Sequence, residues 1–269
     1  MSALLFFYNF IEIWGSYGIY NLQDKNMKHA LILGATSDIG IHIASELAKR
    51  GYSLCLTGRN AELLKKLKEN LSEYKVDITT YTLDISDFAS HHSFYHSLPV
   101  KPDTVFCCIG YYEDQTEAIR DYKETVTTIN ANLTGIMTML NVISNDFATR
   151  KSGSITVLSS VAGERGRQLN YIYGAAKAGL SVYLSGLRNR IHKSGVSVTT
   201  VQLGPVYTKM SAGHNLMPVI TLQPEVAAKK IVNAGLSRKD IVYIYWAWRY
   251  IMLIIRWIPE WIFKRLPPF

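Results

Sequence analysis

From Lys28 onward, short runs of β-branched and apolar residues alternate with longer segments whose apolar positions recur every three to four residues. Short apolar runs of that composition make strands, and the longer period makes helices buried along one side. The strand-like runs are HALIL (29–33), SLCLT (53–57), ITTYTL (78–83), TVFCCI (104–109), SITVLS (154–159), SVTTVQL (197–203) and IVYIY (241–245). Helical segments fall between them at roughly 39–50, 61–72, 87–97, 117–150 with a break, 171–193 and 224–236. Strand and helix in alternation is the pattern of βαβ units. The predicted fold is therefore α/β, a doubly wound Rossmann-type sheet of about seven parallel strands in a single domain, with helices on both faces. The expected division is an N-terminal extension (1–26), the α/β domain (27–245) and an amphipathic helical tail (246–269).

The two ends depart from this alternation. MSALLFFYNFIEIWG is apolar, but no Lys or Arg precedes it and Asn9 and Glu12 interrupt it. It lacks the basic flank of a signal peptide and is too short for a bilayer core of about 30 Å. Since MKHALILGATSDIG, from Met27, looks like a natural start, residues 1–26 are either an artefact of start-site choice or a weak membrane-surface segment. At the other end, residues 243–269 hold four of the five tryptophans. A helix is expected from Trp246 to Ile258, stopped by Pro259, and its length of roughly 20 Å cannot cross a bilayer. Arg249 and Arg256 share one face, a broad apolar side is rimmed by tryptophans, and Lys264 and Arg265 follow. Such a helix lies in a membrane interface, or else covers the sheet or an oligomer contact.

Composition narrows the class. With 269 residues, 48% of them apolar and 19% charged, the chain is globular and large enough for one sizeable core. Cys55, Cys107 and Cys108 sit in apolar stretches, and an odd set of that kind argues for a reducing, cytoplasmic setting without disulfides. The net charge of +8 favours anionic partners. No cluster of five or more basic residues occurs, so no nucleic acid is expected, and ELLKKLKEN reads as the wet face of a helix.

In a doubly wound sheet the ligand lies at the carboxyl ends of the strands. After the first strand comes GATSDIG, with Gly34 and Gly40 permitting a tight turn and Thr36, Ser37 and Ile39 between them, so that a helix N-terminus offers amides to a pyrophosphate. Asp38 is expected to cap that helix, which places a carboxylate near phosphates. The second strand ends in Gly58 and Arg59 where an NAD enzyme offers an acid. Arg59 is read as the partner of a 2′-phosphate, favouring NADP(H) over NAD(H), or as an ordinary surface arginine. After the third strand, Asp84 and Ile85 suit an adenine amino group and ring face. No metal is expected.

The chemistry-bearing stretch is SSVAGERGRQLNYIYGAAKAGL. Tyr173 and Lys177 are four apart, hence on one helix face; Ser160 lies thirteen residues upstream just past a strand, and Asn132 sits in NANLTG on the preceding helix. A phenol of pKa near 10 needs about 4 kcal/mol of phenolate stabilisation to fall by about 3 units, and the Lys177 ammonium is expected to supply much of it. Ser160 would hydrogen-bond a carbonyl oxygen, Tyr173 would protonate it, and Asn132 would hold a water linking Lys177 to solvent.

With GATSDIG, LDIS, NANLTG, Ser160, YGAAK and LGPVYT in order, residues 28–245 resemble the short-chain dehydrogenase/reductase family. The resemblance implies an NAD(P)-dependent oxidoreductase with Asn132, Ser160, Tyr173 and Lys177 as its catalytic set. It adds Gly110, Pro205, Val206 and Thr208, with Tyr173 and Lys177, to the cofactor contacts, and implies a homodimer or homotetramer. Besides Asp38 there are two departures: CCIG (107–110) replaces Asn-Asn-Ala-Gly, and Leu203-Gly204 replaces Pro-Gly. GYYEDQTEA, the Ser160–Tyr173 segment and WRYIMLIIRWIPEWIFKRLP further resemble reductases of polyprenyl-phosphate-linked 2-keto pentoses in cell-wall precursor synthesis. That closer likeness implies a lipid-linked sugar phosphate as substrate, a flavin-dependent oxidase as partner, and a peripheral place on the inner face of the plasma membrane. The alternatives are a soluble carbonyl reductase of a small ketone or acyl thioester, and a non-catalytic Rossmann scaffold. Arg165 and Arg167, at the mouth of the site, either clamp a substrate phosphate or pair locally with Glu164. Residues 207–221 are either a lid over an apolar substrate tail or a surface loop.

Overall fold

The structure is a computed structural model that describes residues 28–213 and 216–267; the extension 1–26 lies outside the described residues. Seven strands form one sheet: β1 (His29–Leu33), β2 (Ser53–Gly58), β3 (Ile78–Thr82), β4 (Thr104–Cys107), β5 (Ser154–Ser160), β6 (Ser197–Leu203) and β7 (Ile241–Tyr243). Their order is β3-β2-β1-β4-β5-β6-β7 and every pairing is parallel. The order reverses between β1 and β4, which is where such a sheet opens a crevice at its carboxyl edge.

The helices α1 (Asp38–Ala48), α2 (Ala61–Asn70), α3 (Ser90–Ser97), α4 (Gln115–Arg120), α5 (Tyr122–Ile129), α6 (Gly135–Arg150), α7 (Tyr171–Ile191) and α8 (Pro224–Leu236) cover both faces. Alternation along β1 sorts the core into two halves. Ile32 packs with Ile43, Leu47 and Ile231 under α1 and α8, while Leu31 and Leu33 pack with Met139, Ile143 and Leu180 under α6 and α7. Each half removes a row of aliphatic side chains from water at about 25 cal/mol per Å², the main term holding the layers together.

Several boundaries differ from the sequence expectation, each for a local reason. The helical segment expected over 117–150 with a break is three helices. Asp121 stops α4 and caps α5, its carboxylate accepting from Lys123 N at 2.9 Å, and a π-helical turn at Asn130–Thr134 precedes α6. The helix expected from 87 begins at Ser90, because Asp84 turns the chain by accepting from Ser86 N at 2.9 Å. β4 ends at Cys107 and β7 at Tyr243, shorter than the apolar runs that contain them. The tail folds as α9 (Ala247–Trp257) and α10 (Glu260–Phe263), broken at Pro259. No helix among the described residues is long and apolar enough to cross a membrane.

Candidate active site

The turn after β1 is built from its glycines. Gly34 has φ +77, and a Cβ there would press on Ile109 and Cys108, so β1 and β4 come together only with glycine at this point. At Gly40 a Cβ would collide with the Gly34 carbonyl, which seats the first turn of α1 directly on the loop. The cap of α1 is Ser37, not Asp38: Ser37 has extended backbone angles and accepts from Gly40 N at 3.1 Å, while its hydroxyl donates to Gly34 O at 2.8 Å. Asp38 is instead the first helical residue, and its carboxylate accepts from Lys209 N at 2.6 Å, tying down the segment that follows β6. Gly58 packs against Thr36, and Arg59 stands exposed beside them at the end of β2. A glycine cradle at a helix N-terminus fits the pyrophosphate of a nicotinamide dinucleotide.

Asp84 is exposed near this cradle, but Ile85 is not available as a ring face. Its side chain is buried in the core half under α6, and its carbonyl accepts from His91 Nε2 at 3.1 Å.

The catalytic candidates meet on α7. Ser160 ends β5 and caps a short 3-10 turn, Val161–Gly163, by accepting from Ala162 N at 3.1 Å. That turn lies on the backbone of α7: a Cβ on Gly163 would meet Ala178 N at 2.6 Å, and one on Gly174 would meet Ala162 O at 2.8 Å. Two glycines thus bring Ser160 within hydrogen-bonding reach of the Tyr173 hydroxyl. Lys177 is buried one turn on, its Nζ 5.7 Å from the centre of the Tyr173 ring and donating to Leu158 O at 3.1 Å. Ser159 Oγ donates to Lys177 O at 3.1 Å and pairs with Ser181 Oγ at 2.8 Å, fixing the helix on the strand.

The electrostatics reverse the sequence expectation for the phenol. Burial pushes Tyr173 up to about 12, opposed by the Ser160 hydrogen bond. Burial also lowers Lys177 to about 8, with neighbouring Cys107 pulling weakly the other way. A phenol held protonated is the form that donates to a carbonyl oxygen.

Asn132 ties the loop after β4 to the helix before α6. Its side chain is fully buried in the π turn; Nδ2 donates to Tyr111 O at 2.6 Å and Thr128 O at 3.0 Å, and Oδ1 accepts from Tyr111 N at 3.1 Å. Both amide hydrogens are thereby committed to main chain, so the side chain pins the loop after β4. That loop delivers Tyr112, whose ring stands edge-on to Tyr173 at 5.4 Å between centres. From α4, Gln115 accepts from Ile172 N at 3.1 Å and closes the N-terminus of α7. Both residues lie in GYYEDQTEA, a stretch marked by resemblance, though nothing in it gave these contacts.

A cleft of about 540 Å³ opens in front of Ser160 and Tyr173. Pro205, Val206, Thr208 and Ile39 line one side, and Arg167, Leu169 and Tyr112 another. Gly110 faces Met210, whose Cε lies 3.2 Å from where a Cβ would stand. The third wall is Trp248 of the tail, whose Nε1 donates to Ile220 O at 3.1 Å. A side chain on Gly204 would collide with the Trp248 indole, so glycine at that position and the tail's tryptophan require each other. Of the two arginines, only Arg167 lines the cleft. Arg165 does not form a clamp with it: Arg165 turns to the tail, donating to Glu260 Oε2 at 2.6 Å and lying 4.3 Å over the Phe263 ring. Glu164 pairs with neither, accepting instead from Tyr243 OH at 3.0 Å with Arg256 nearby at 3.7 Å.

The short chain dehydrogenase family model matches residues 28–218. An uncharacterized oxidoreductase of Mycobacterium tuberculosis is 30% identical over 250 residues, covering 91% of this chain and all of the relative. Among solved structures, an actinorhodin polyketide ketoreductase with NADPH superposes with a TM-score of 0.71 at 21% identity, over 82% of this chain and 96% of that one. ElxO with NADPH bound does so at 0.73 and 20% identity, over 81% and 97%. At those identities the two structures speak for the fold, whereas the family match and the mycobacterial relative reach through the cradle, Ser160 and Tyr173 alike. The chain belongs to the short-chain dehydrogenase/reductase family and is an NAD(P)-dependent oxidoreductase.

Proposed function

We propose that the protein reduces the 2-keto group of a polyprenyl-phosphate-linked pentose to an alcohol, in the synthesis of a cell-envelope glycan precursor, with NADPH as the preferred donor. The observation that carries this reading is Arg167. It is half-buried in the same cleft as Ser160 and Tyr173, its Nε has no hydrogen-bond partner among the described residues, and desolvation lowers its pKa. A phosphate beside it satisfies that donor and offsets the burial of the charge. Leu169, Met210, Leu216 and Trp248 give the rest of the cleft the apolar lining that the start of a lipid chain requires. The likeness of GYYEDQTEA, the Ser160–Tyr173 segment and the tail to the reductase half of decaprenylphosphoryl-ribose 2′-epimerase supports the sugar and the lipid class.

In this reading Ser160 aligns the ketone oxygen, Tyr173 donates its proton to that oxygen, and the Lys177 ammonium stabilises the phenolate left behind. Nicotinamide supplies the hydride to the carbon. Gly34, Thr36, Ser37, Gly40 and Arg59 hold the phosphates of the cofactor, and Arg59 favours a 2′-phosphate. A flavin-dependent oxidase supplies the ketone, and the reductase works as a homodimer or homotetramer.

The test is to incubate the purified protein with NADPH or NADH and the oxidised polyprenyl-phosphate pentose and to identify the product by mass spectrometry. The expected result is a gain of two hydrogens on the sugar, and a KM for the lipid phosphate that rises about tenfold or more in Arg167→Gln with little change in kcat. Equal turnover of a phosphate-free small ketone, unaffected by Arg167→Gln, would replace this reading with that of a general carbonyl reductase.

A further inference from the structure

A second cavity, of about 590 Å³, lies away from the catalytic cleft where α8, the edge strand β7 and the start of α9 meet. Lys230 reaches it from α8, Lys239 from the turn before β7 and Arg249 from the first turn of α9, and no carboxylate lines it. Trp246 and Tyr250 form its rim, 68% and 57% exposed, with their rings edge to face at 6.0 Å. Three cations converging on an open cavity bordered by half-wet aromatic rings suit a phosphate ester presented at an apolar boundary.

The tail extends this surface. Trp248 and Met252 point inward and pack on Val161, which orients the helix and turns Leu253, Ile254, Trp257 and Trp261 to solvent. Among the described tail residues after Trp246 the charges are Arg249, Arg256, Lys264 and Arg265 against one carboxylate, Glu260, which Arg165 already pairs. A patch of exposed tryptophan and leucine ringed by arginine and lysine is complementary to an anionic bilayer, whose headgroups meet the cations while the rings enter the interface. A second copy would cover the apolar side chains, but an isologous contact would set the same basic cavities against each other.

We propose that the outer face of α9 and α10 docks on an anionic lipid bilayer, with a lipid phosphate headgroup held between Lys230, Lys239 and Arg249. The docking does not depend on which ketone is reduced. Because Trp248 of the same helix walls the catalytic cleft, docking sets the mouth of that cleft beside the membrane.

The experiment is co-sedimentation of the full chain with phosphatidylcholine vesicles with and without phosphatidylglycerol. The chain should sediment with the anionic vesicles and little with the neutral ones, and added salt should weaken binding. Lys239→Ala combined with Arg249→Ala should lower affinity roughly twenty-five-fold, at about fivefold per surface charge. Trp257→Ser should lower it as well, and all three changes are at exposed positions, so thermal melting should be unaltered. Absence of binding to either vesicle, or binding of the double variant equal to that of the unaltered chain, overturns the proposal. So does a discrete dimer in solution that Trp257→Ser dissociates, since the face would then belong to a second copy.

Discussion

Tyr173 and Lys177 share one face of α7, yet burial moves them in opposite directions, the phenol up to about 12 and the amine down to about 8. Reduction requires the protonated phenol and is helped by the ammonium. The kcat/KM for reduction should therefore be level through neutral pH and decline as pH rises past about 8, where Lys177 loses its proton, with Tyr173 still protonated. A pH–rate profile with saturating cofactor reads this directly. Tyr173→Phe should cut turnover about a thousandfold while leaving cofactor binding intact, measured by fluorescence titration with NADPH. Lys177 also costs stability. Its folded pKa is below its ordinary 10.5, so the unfolded chain binds the extra proton; the penalty is complete below about 8 and fades as pH rises to 10.5. Lys177→Met should accordingly raise the unfolding free energy at pH 7, by on the order of 3 kcal/mol at most, with the gain shrinking toward pH 10.5 in urea titrations. At this level the pairing of Tyr173 with Lys177 was legible because a helix places i and i+4 together, and Ser160 because it closes a strand. The side-chain bonds of Asn132 were not legible. Hydrogen-bond partners such as Tyr111 O lie twenty-one residues away in the chain, and no local pattern encodes them.

The elements divide in the same way. Strand and helix periods are local, and β1, β6 and α8 fall where the pattern of apolar positions puts them. A break in 117–150 is expected from that pattern, but not its place at Asp121 and in the π turn, since Asp and Asn are tolerated on the wet face of a continuous helix. The tail's amphipathic character was readable, but not that its inner side would complete the catalytic cleft through Trp248. Trp248→Ala should cost about 3–5 kcal/mol of stability, whereas Trp257→Ala, at 79% exposure, should change it by less than about 0.5 kcal/mol; chemical denaturation separates the two. Gly204→Ala should displace the same indole, and its signature is altered tryptophan fluorescence together with a raised KM for the ketone.

Across the whole molecule, one sheet of seven parallel strands carries both core halves, and the three thiols report on it. Burial pushes Cys55 and Cys107 up to about 11, and Cys108 well above its ordinary 9.0. A native state that keeps protons the unfolded chain has lost becomes less stable as pH rises through the interval from 9.0 to about 11. A thiol reagent at pH 8 should leave buried Cys107 and Cys108 unlabelled in the folded protein, label half-buried Cys55 slowly, and label all three in urea. The α/β class, the order of strands along the chain, the phosphate cradle and the Ser160–Tyr173–Lys177 spacing are written in the sequence, because each depends on residues within one or two adjoining elements. Only the folded chain decides that Ser37 and not Asp38 caps α1, that Arg167 faces the cleft while Arg165 holds the tail, and that burial keeps the phenol protonated. Those outcomes depend on which distant groups share a cavity and how much water they lose, and the sheet order alone brings such groups together.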